Sequence, residues 1–336
     1  MTPSPAVTVA LPVHDAAATV GATIASVVAQ SFRDWELAVV CNGCSDGTVA
    51  IARAAAARDP RVRVDVQPVA SVVLASNRAL EMARAPLHAR IDADDLMPPG
   101  RLAAQVAALS ARAEWAGCTG RVVHDGAAGG MARHVAWLNG LAGPRDIHDQ
   151  RFVDSPIANP AAMVRTAALR AVGGWRDGDF AEDYDLWLRL LARGARIGRA
   201  DGDALVWRDL PTRLTRTDPR YGADAMRRLK HRHLWEGPLR RGARACRIWG
   251  SGPYGKRHAR GLLALGARVD AFIDIDPRKI GGRAAGGVAV VAPEALGPPD
   301  GRLTLVAVAT PGARAEVMAR LAALGHEPGR DVLPVQ

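Results

Sequence analysis

Pro86-Leu87-His88-Ala89-Arg90-Ile91-Asp92-Ala93-Asp94-Asp95 decides how this chain is read. The apolar-rich segment up to Ile91 has the length of a buried strand, and it delivers three carboxylates at its end. Like charges packed together are unfavourable unless a cation or a strong donor joins them, so the cluster points to a hard divalent metal held by oxygen ligands. Magnesium or manganese carrying a diphosphate fits such a set best. The competing reading is a solvated Asp-rich turn that caps the helix following Pro98-Pro99. The rest of the chain has to choose between them.

Upstream, a short apolar run from Val7 to Leu11 leads through Pro12-Val13-His14-Asp15 into a helical pattern from Ala17 to Gln30. A second strand is predicted from Trp35 to Val40, ending in the turn composition Cys41-Asn42-Gly43-Cys44-Ser45-Asp46-Gly47-Thr48. A strand from Val62 to Val66, a helix from Val72 to Ala83 and the strand Leu87 to Ile91 continue the alternation. Strand and helix in this order predict an α/β fold with a mainly parallel sheet covered on both faces. Ligands of such sheets bind at the carboxyl ends of the strands, where Pro12, Asn42 and Asp92 would emerge.

Downstream, a helix is predicted from Arg101 to about Arg112, then a less regular middle, then Glu182-Asp183-Tyr184-Asp185-Leu186-Trp187-Leu188-Arg189. Leu186, Leu190 and Leu191 share one helical face and Gly194 is a natural stop, which puts Glu182 and Asp183 at a helix N-terminus. Amide donors and the helix dipole there are expected to keep both carboxylates ionised. An N-terminal capping role would look the same in sequence.

At 336 residues, 49% of them hydrophobic, the chain suits two domains, each with a sizeable core. Composition breaks near Gly237-Pro238, so domains of 1–238 and 239–336 are expected. No apolar stretch is long enough to span a membrane and no secretory leader is recognisable, which predicts a cytoplasmic protein. The four cysteines are too few and too scattered for a disulfide framework. Cys41 and Cys44 form a C-x-x-C, but a zinc site needs two further ligands and no second closely spaced Cys or His pair accompanies it.

The net charge is +10, and only Lys230, Lys256 and Lys279 are lysines among the cations. Arg227, Arg228, Lys230, Arg232, Arg240, Arg241, Arg244 and Arg247 crowd one stretch that would suit phosphates, an anionic acceptor or peripheral contact with an anionic membrane face, or would form a solvated helix face. Nucleic acid is not expected as a partner, because no recognised motif or aromatic stripe supports it. A homo-oligomer stays open.

These motifs, in this order, resemble an inverting glycosyltransferase of family 2 with the GT-A fold. The match runs through Leu11-Pro12-Val13-His14-Asp15, Gln30-Ser31-Phe32, Asn42-Gly43-Cys44-Ser45-Asp46, Ala75-Ser76-Asn77-Arg78, Asp92-Ala93-Asp94-Asp95 and Glu182-Asp183-Tyr184-Asp185. The resemblance implies a nucleotide-sugar donor, a saccharide or glycolipid acceptor, and a Mg2+ or Mn2+ ion on the diphosphate. It implies Asp92 and Asp94, with Asp95 beside them, as the metal motif, Asp183 as the catalytic base and Glu182 as its helper. Pro12, Val13, Asp15, Cys41, Asn42, Asp46, Asn77 and Asp92 are the donor-binding residues it implies. Arg208, Arg213 and Arg216 add donors whose planar forks match phosphate oxygens, on a stretch that reads either as a loop closing over the diphosphate or as a plain basic connector.

Three departures stand out. Cys41 followed by Asn42 occupies the place where many members carry an acidic residue against the nucleobase. Asp15 stands where Asn is frequent, and Leu210 where a histidine is common. A non-catalytic nucleotide-sugar-binding or assembly subunit is the alternative those departures suggest.

In the last hundred residues Gly250-Ser251-Gly252-Pro253-Tyr254-Gly255 lies between a predicted strand, Ala245 to Trp249, and a helix from Arg257 to Leu265. Asp274 ends the next strand, where a ribose-binding acid is expected. A smaller Rossmann-like domain with a nucleotide held by Gly250, Gly252, Gly255 and Asp274 is one reading. Glycines that only tighten a strand-to-helix turn are the other.

Overall fold

A computed structural model describes residues 4–211, 213–240, 245–310 and 312–336; Thr212, Arg241 and Arg244 lie outside the described residues. Chain order runs β1 (Val7–Val13), α1 (Val20–Val28), β2 (Trp35–Asn42), α2 (Thr48–Arg58), β3 (Val62–Gln67), α3 (Val72–Met82), β4 (Leu87–Arg90) and α4 (Arg101–Ala111). It continues through β5 (Trp115–Asp125), α5 (Gly130–Gly140), α6 (Pro144–Asp149), β6 (Met163–Arg165), α7 (Thr166–Ala171), α8 (Glu182–Ala192), β7 (Arg196–Arg208) and α9 (Leu214–Thr217). The last elements are α10 (Ala223–Leu234), β8 (Cys246–Trp249), α11 (Pro253–Ala264), β9 (Val269–Ile273), β10 (Val290–Val291), β11 (Leu303–Val306), α12 (Ala313–Ala323) and β12 (Val332–Pro334).

Contacts divide the chain into two compact units. The first takes in residues up to Ile147, Ile157–Gly178 and Glu182–Asp218; the second His148–Pro156, Asp179–Ala181 and Pro219–Gln336. The second unit therefore begins well before the expected break near Gly237-Pro238, and the reason is local. Helix α10 packs on α11, with Nε2 of His231 and Nδ1 of His258 2.9 Å apart, and a side chain at Gly261 would collide with the His231 ring.

The first unit holds a seven-stranded sheet in the order β3-β2-β1-β4-β6-β5-β7. Only β6 runs against the rest, antiparallel to both β4 and β5. Every residue of β1 and β2 is buried, as expected for parallel strands covered on both faces, so their apolar runs show no alternation. The irregular middle of the sequence conceals two long strands, β5 and β7, which pair in parallel with three register shifts.

The second unit holds a five-stranded parallel sheet, β10-β9-β8-β11-β12. Counted within the unit the order is 3-2-1-4-5, so the direction of winding reverses between β8 and β11, beside the glycine loop. Helix α11 starts at Pro253, four residues before the position expected from sequence. Proline is well suited to that first helical turn, where its missing N–H leaves nothing unpaired.

Candidate active site

The segment after β4 is held from beneath by one face of α1. Thr23 Oγ1 donates toward the carbonyls of Ala93 (2.9 Å) and Asp95 (2.8 Å). Ser26 Oγ accepts the Met97 amide at 3.0 Å. Gln30 Nε2 donates to the carbonyls of Met97 (3.2 Å) and Pro98 (2.7 Å), while its Oε1 accepts the Leu102 amide at 3.0 Å. Sequence reasoning did not single out Thr23 and Ser26, although a signal was there. Residues 23, 26 and 30 are polar at helical spacing on a helix whose other inward positions, Val20, Ile24 and Val27, are apolar.

Arg101 was also missed. Its guanidinium is buried and donates to Gln105 Oε1 (3.0 Å) and to the carbonyls of Pro160 (2.6 Å), Arg90 (2.8 Å) and Ala162 (3.1 Å). Desolvation pulls its pKa down to about 9. It therefore seals the end of β4 where the chain leaves for the carboxylates.

Those three carboxylates differ from one another. Asp92 takes Nε of the buried Arg90 at 2.9 Å, and Arg90 is fixed in turn on Ser76 Oγ at 2.7 Å. Asp94 is part-exposed, and burial raises its pKa first, with Arg213 opposing and Asp92 adding to the rise. Asp95 is fully buried and accepts from Arg213 Nη1 (2.8 Å), Arg213 Nη2 (3.2 Å) and the Arg208 amide (3.1 Å).

Burial pushes Asp95 up to about 7 while Arg213 opposes; the same pairing holds Arg213 firmly charged. These two directions pull apart. Three N–H donors converging on one carboxylate are the environment of an anion, so the ion pair is the better description. Asp95 is thus an anchor for the loop after β7, which corrects its expected place among the metal ligands. Among the described residues, moreover, the oxygens of Asp92, Asp94 and Asp95 do not gather within 4.8 Å as a three-ligand cage would. Asp92 and Asp94 remain as part-exposed hard oxygen donors.

The three arginines of that loop are already engaged. Arg213 Nη1 lies 3.4 Å from Asp94 and Nη2 4.0 Å from Asp92, besides gripping Asp95. Arg208 Nε donates to the Asp94 carbonyl, and its Nη2 is buried without a hydrogen-bond partner. Arg216 grips Asp209 at 2.7 Å.

The base candidate is close by. Asp183 opens α8, half-buried, with Oδ1 accepting the Tyr184 amide at 2.7 Å. Its pKa is raised well above the ordinary carboxylate range, by burial first and by Glu182 second. The Tyr184 amide and Arg90 oppose the rise, and Asp92 adds to it. The helix start was expected to keep it ionised; loss of water beside the buried Glu182 outweighs the dipole. That Asp92 and Arg90 both act on Asp183 brings the carboxylate pair and the end of β4 into one site.

Several residues expected at the donor also hold the scaffold together. Cys41 is fully buried in the core and burial pushes its thiol up to about 11, so it presents no surface to a nucleobase. Asn42 Nδ2 donates to the Val13 carbonyl (2.7 Å) and its Oδ1 accepts the Ser71 amide (2.8 Å), pinning three loops together. Pro12 and Val13 are buried in β1. Asp15 accepts the Ser45 amide (2.7 Å) and Asp46 the Ala17 amide (2.9 Å), so the loops after β1 and β2 fasten each other. Asn77 brackets Trp175, accepting its amide at 2.9 Å and donating to its carbonyl at 2.8 Å. Arg189, paired with Asp185 at 2.6 Å, holds the carbonyls of Val172 and Gly174 at 2.8 Å each.

A family model described as "Glycosyl transferase family 2" matches residues 8–173. The putative glycosyltransferase EpsE of Bacillus subtilis (strain 168) is 30% identical over 202 residues, covering 58% of this chain and 70% of that protein. The chain belongs to glycosyl transferase family 2. A second relative of this glycosyltransferase is the O-antigen biosynthesis glycosyltransferase WbnJ of Escherichia coli, 26% identical over 187 residues, covering 55% of this chain and 71% of that protein. Among solved structures, S. aureus TarS 1-349 in complex with UDP-GlcNAc superimposes with a TM-score of 0.57 at 15% identity, covering 76% of this chain and 71% of that one. That likeness shows the GT-A type fold.

In the second unit the glycine loop is largely accounted for by packing. Gly250 has a φ of +103° and a side chain at Gly255 would strike the Gly250 carbonyl; at Gly252 a side chain would meet nothing within 4 Å. Asp274 is committed to the loop itself. It accepts the Ser251 amide at 2.9 Å and the Ser251 hydroxyl, pairs with Lys279 at 3.2 Å, and is held down to about 2. The expected ribose-binding acid therefore closes the glycine loop in this structure, with a donor on each oxygen.

Nor is the basic stretch one exposed face. Lys230 is buried and donates to the carbonyls of Val153 (3.1 Å) and Val335 (3.2 Å). Arg247 is buried against Asp300, Arg227 pairs with Asp224, and Arg232 lies 3.5 Å from Asp179. Among the described residues no helix is long and apolar enough to cross a membrane.

Proposed function

We propose that this glycosyltransferase moves a sugar from a nucleotide-sugar donor to a hydroxyl of a saccharide or glycolipid acceptor, with inversion at the anomeric carbon, in surface polysaccharide synthesis. The observation that carries the reading is the nearness of Asp183 to Asp92 and Arg90, close enough for both charges to act on it. A proton acceptor and a diphosphate site would then share one pocket.

In this reading the acceptor oxygen bonds to the anomeric carbon as the bond to the diphosphate breaks, and Asp183 takes the hydroxyl proton. A raised carboxylate pKa suits that task, because a base works best when its pKa lies near the working pH. Asp92 and Asp94 would hold Mg2+ or Mn2+, which such sites bind through one or two carboxylates plus substrate phosphates. When bound, the metal neutralises charge on the leaving diphosphate. Arg208, whose buried Nη2 lacks a partner, supplies a donor for a phosphate oxygen. The naming of WbnJ for O-antigen biosynthesis supports the choice of polysaccharide.

A thermal-shift screen against UDP-, GDP-, dTDP- and CDP-sugars, with and without manganese, tests the donor half, since a ligand of the folded state raises Tm. A metal-dependent rise lost in Asp94→Asn is expected. Binding without turnover of any acceptor mixture would favour a non-catalytic subunit. For the second unit we propose a nucleotide at the switch point between β8 and β11, approaching over Gly252. A rise in Tm with a nucleotide that persists in Asp94→Asn and disappears in Gly252→Val is the expected result.

A further inference from the structure

The C-x-x-C of the sequence lacked two further metal ligands, and the fold supplies them from a different loop. His14 and Asp15, just past the end of β1, come to Cys44, just past the end of β2. Nε2 or Nδ1 of the histidine, a carboxylate oxygen and the thiol sulfur all lie within 4.8 Å of one another, the one such trio among the described residues. Cys41 is not in it, being buried in the core with its thiol protonated.

We propose that His14, Asp15 and Cys44 form a site for a borderline-soft divalent cation of the zinc class, separate from the carboxylates after β4. The ligand chemistry is a thiolate, an imidazole and one carboxylate, the set that zinc prefers over magnesium. Orientation is already set. His14 Nδ1 lies 2.8 Å from the Asn42 carbonyl, which can only accept, so Nδ1 carries the proton and the Nε2 lone pair is left for a metal. Nε2 lies 3.7 Å from Asp15 Oδ2.

Asp15 is equally fixed, its carboxylate held by the Ser45 amide (2.7 Å), the Ser45 hydroxyl (3.0 Å) and the Asp46 amide (3.3 Å). Its backbone has a φ of +40°, the only positive φ at a non-glycine among the described residues. Such strain persists where the surroundings demand a particular side-chain direction.

Zinc bonds of about 2.0–2.1 Å to nitrogen and about 2.3 Å to sulfur place neighbouring ligand atoms roughly 3.3–3.8 Å apart in a tetrahedron. A spread of up to 4.8 Å therefore has to close by about one ångström. The side chains of His14 and Asp15 are 49% and 37% exposed, so small shifts of the loops that carry them, with these hydrogen bonds kept, close the gap without core movement. With three protein ligands the fourth position stays open to water or a ligand, as in catalytic rather than structural zinc sites. Occupation would fasten the loop after β1 to the loop after β2.

The test uses the whole chain, stripped with chelator, kept reduced, and titrated with Co2+ as a spectroscopic stand-in. One equivalent is expected to bind with a thiolate-to-cobalt charge-transfer band that Zn2+ abolishes by displacement. Cys44→Ser should remove the band, and His14→Gln should weaken binding at least about tenfold. Asp94→Asn should leave both unchanged, which separates this site from the one proposed for the diphosphate metal. Absence of the band in the unaltered chain, its survival in Cys44→Ser, or its loss in Asp94→Asn would overturn the proposal.

Discussion

Arg213 grips Asp95 with both terminal nitrogens, at 2.8 and 3.2 Å, and so ties the loop after β7 to the carboxylates after β4. Both side chains are buried. A guanidinium from one end of the first unit's sequence is therefore the internal counter-ion for a cluster more than a hundred residues away.

Arg213→Ala leaves Asp95 as a buried anion without its cation, a loss that typically costs about 3–5 kcal/mol. A large fall in the urea midpoint is expected. Arg213→Lys should recover only part of it, because an ammonium cannot reproduce the two-pronged grip. Equal stability of the alanine variant and the parent would show that the pair contributes nothing.

Gln30→Ala removes one side chain that serves the Leu102 amide and the Met97 and Pro98 carbonyls at once. Stranding such groups costs roughly 1–3 kcal/mol. Since those partners bound the segment that carries Asp92 and Asp94, donor affinity in manganese should fall as well, measurable by calorimetry.

Gly174 has a φ of +64°, and a side chain there would run into the Asn77 amide that brackets Trp175. Gly174→Ala is expected to destabilise by about 1–3 kcal/mol from backbone strain alone. Thermal melting decides it, with Gly173→Ala, strained alike at a φ of +78° but with open space for the methyl group, as the comparison that isolates the collision with Asn77.

Asp183→Asn should lower kcat by about 10²–10⁴-fold while leaving donor binding nearly intact. The raised pKa of Asp183 gives the pH profile a direction. The base must be deprotonated to act, so activity should climb with pH through a limb that lies well above the usual carboxylate range. A flat profile down to pH 4 would contradict that role.

Asp274 is held down to about 2 in the folded chain, against about 3.9 when unfolded. A depressed carboxylate adds stability that is present above the unfolded value and is lost as pH falls through the folded one. The difference is on the order of 2 kcal/mol. Asp274→Asn should therefore weaken hydrogen-exchange protection in β8 and β9 at pH 7, and the gap should narrow as pH falls toward 2.

The alternation of strands and helices around Asp92 was legible because parallel strands buried on both faces read as apolar runs, and β1, β2, β3, α3, β4 and α4 fall within a few residues of expectation. β6 was not, since three residues paired antiparallel carry no periodicity. Asp92, Asp94 and Asp183 stand out in sequence because carboxylates gathered together call for a chemical reason, and the roles given to them here are those proposed above. The partners of Asp15, Asn42, Asp46 and Asn77 could not, because an Asn or Asp near a ligand and one stapling a loop have the same letters. Arg213 illustrates the same ambiguity. Its charge was evident in sequence, but which anion it meets is decided by the course of β7.

Arg101 lays its donors on the last carbonyl of β4 and on two from the segment preceding β6, giving the sheet a rigid margin where the backbone ladder runs out. Beyond Ile91 the chain leaves the sheet for four residues and rejoins it at Leu96, which exchanges two backbone hydrogen bonds with Val206 of β7. The span between those two attachments behaves as a short bridge moored at both piers, so that only Asp92, Ala93 and Asp94 are left to vary while Asp95 stays part of the masonry.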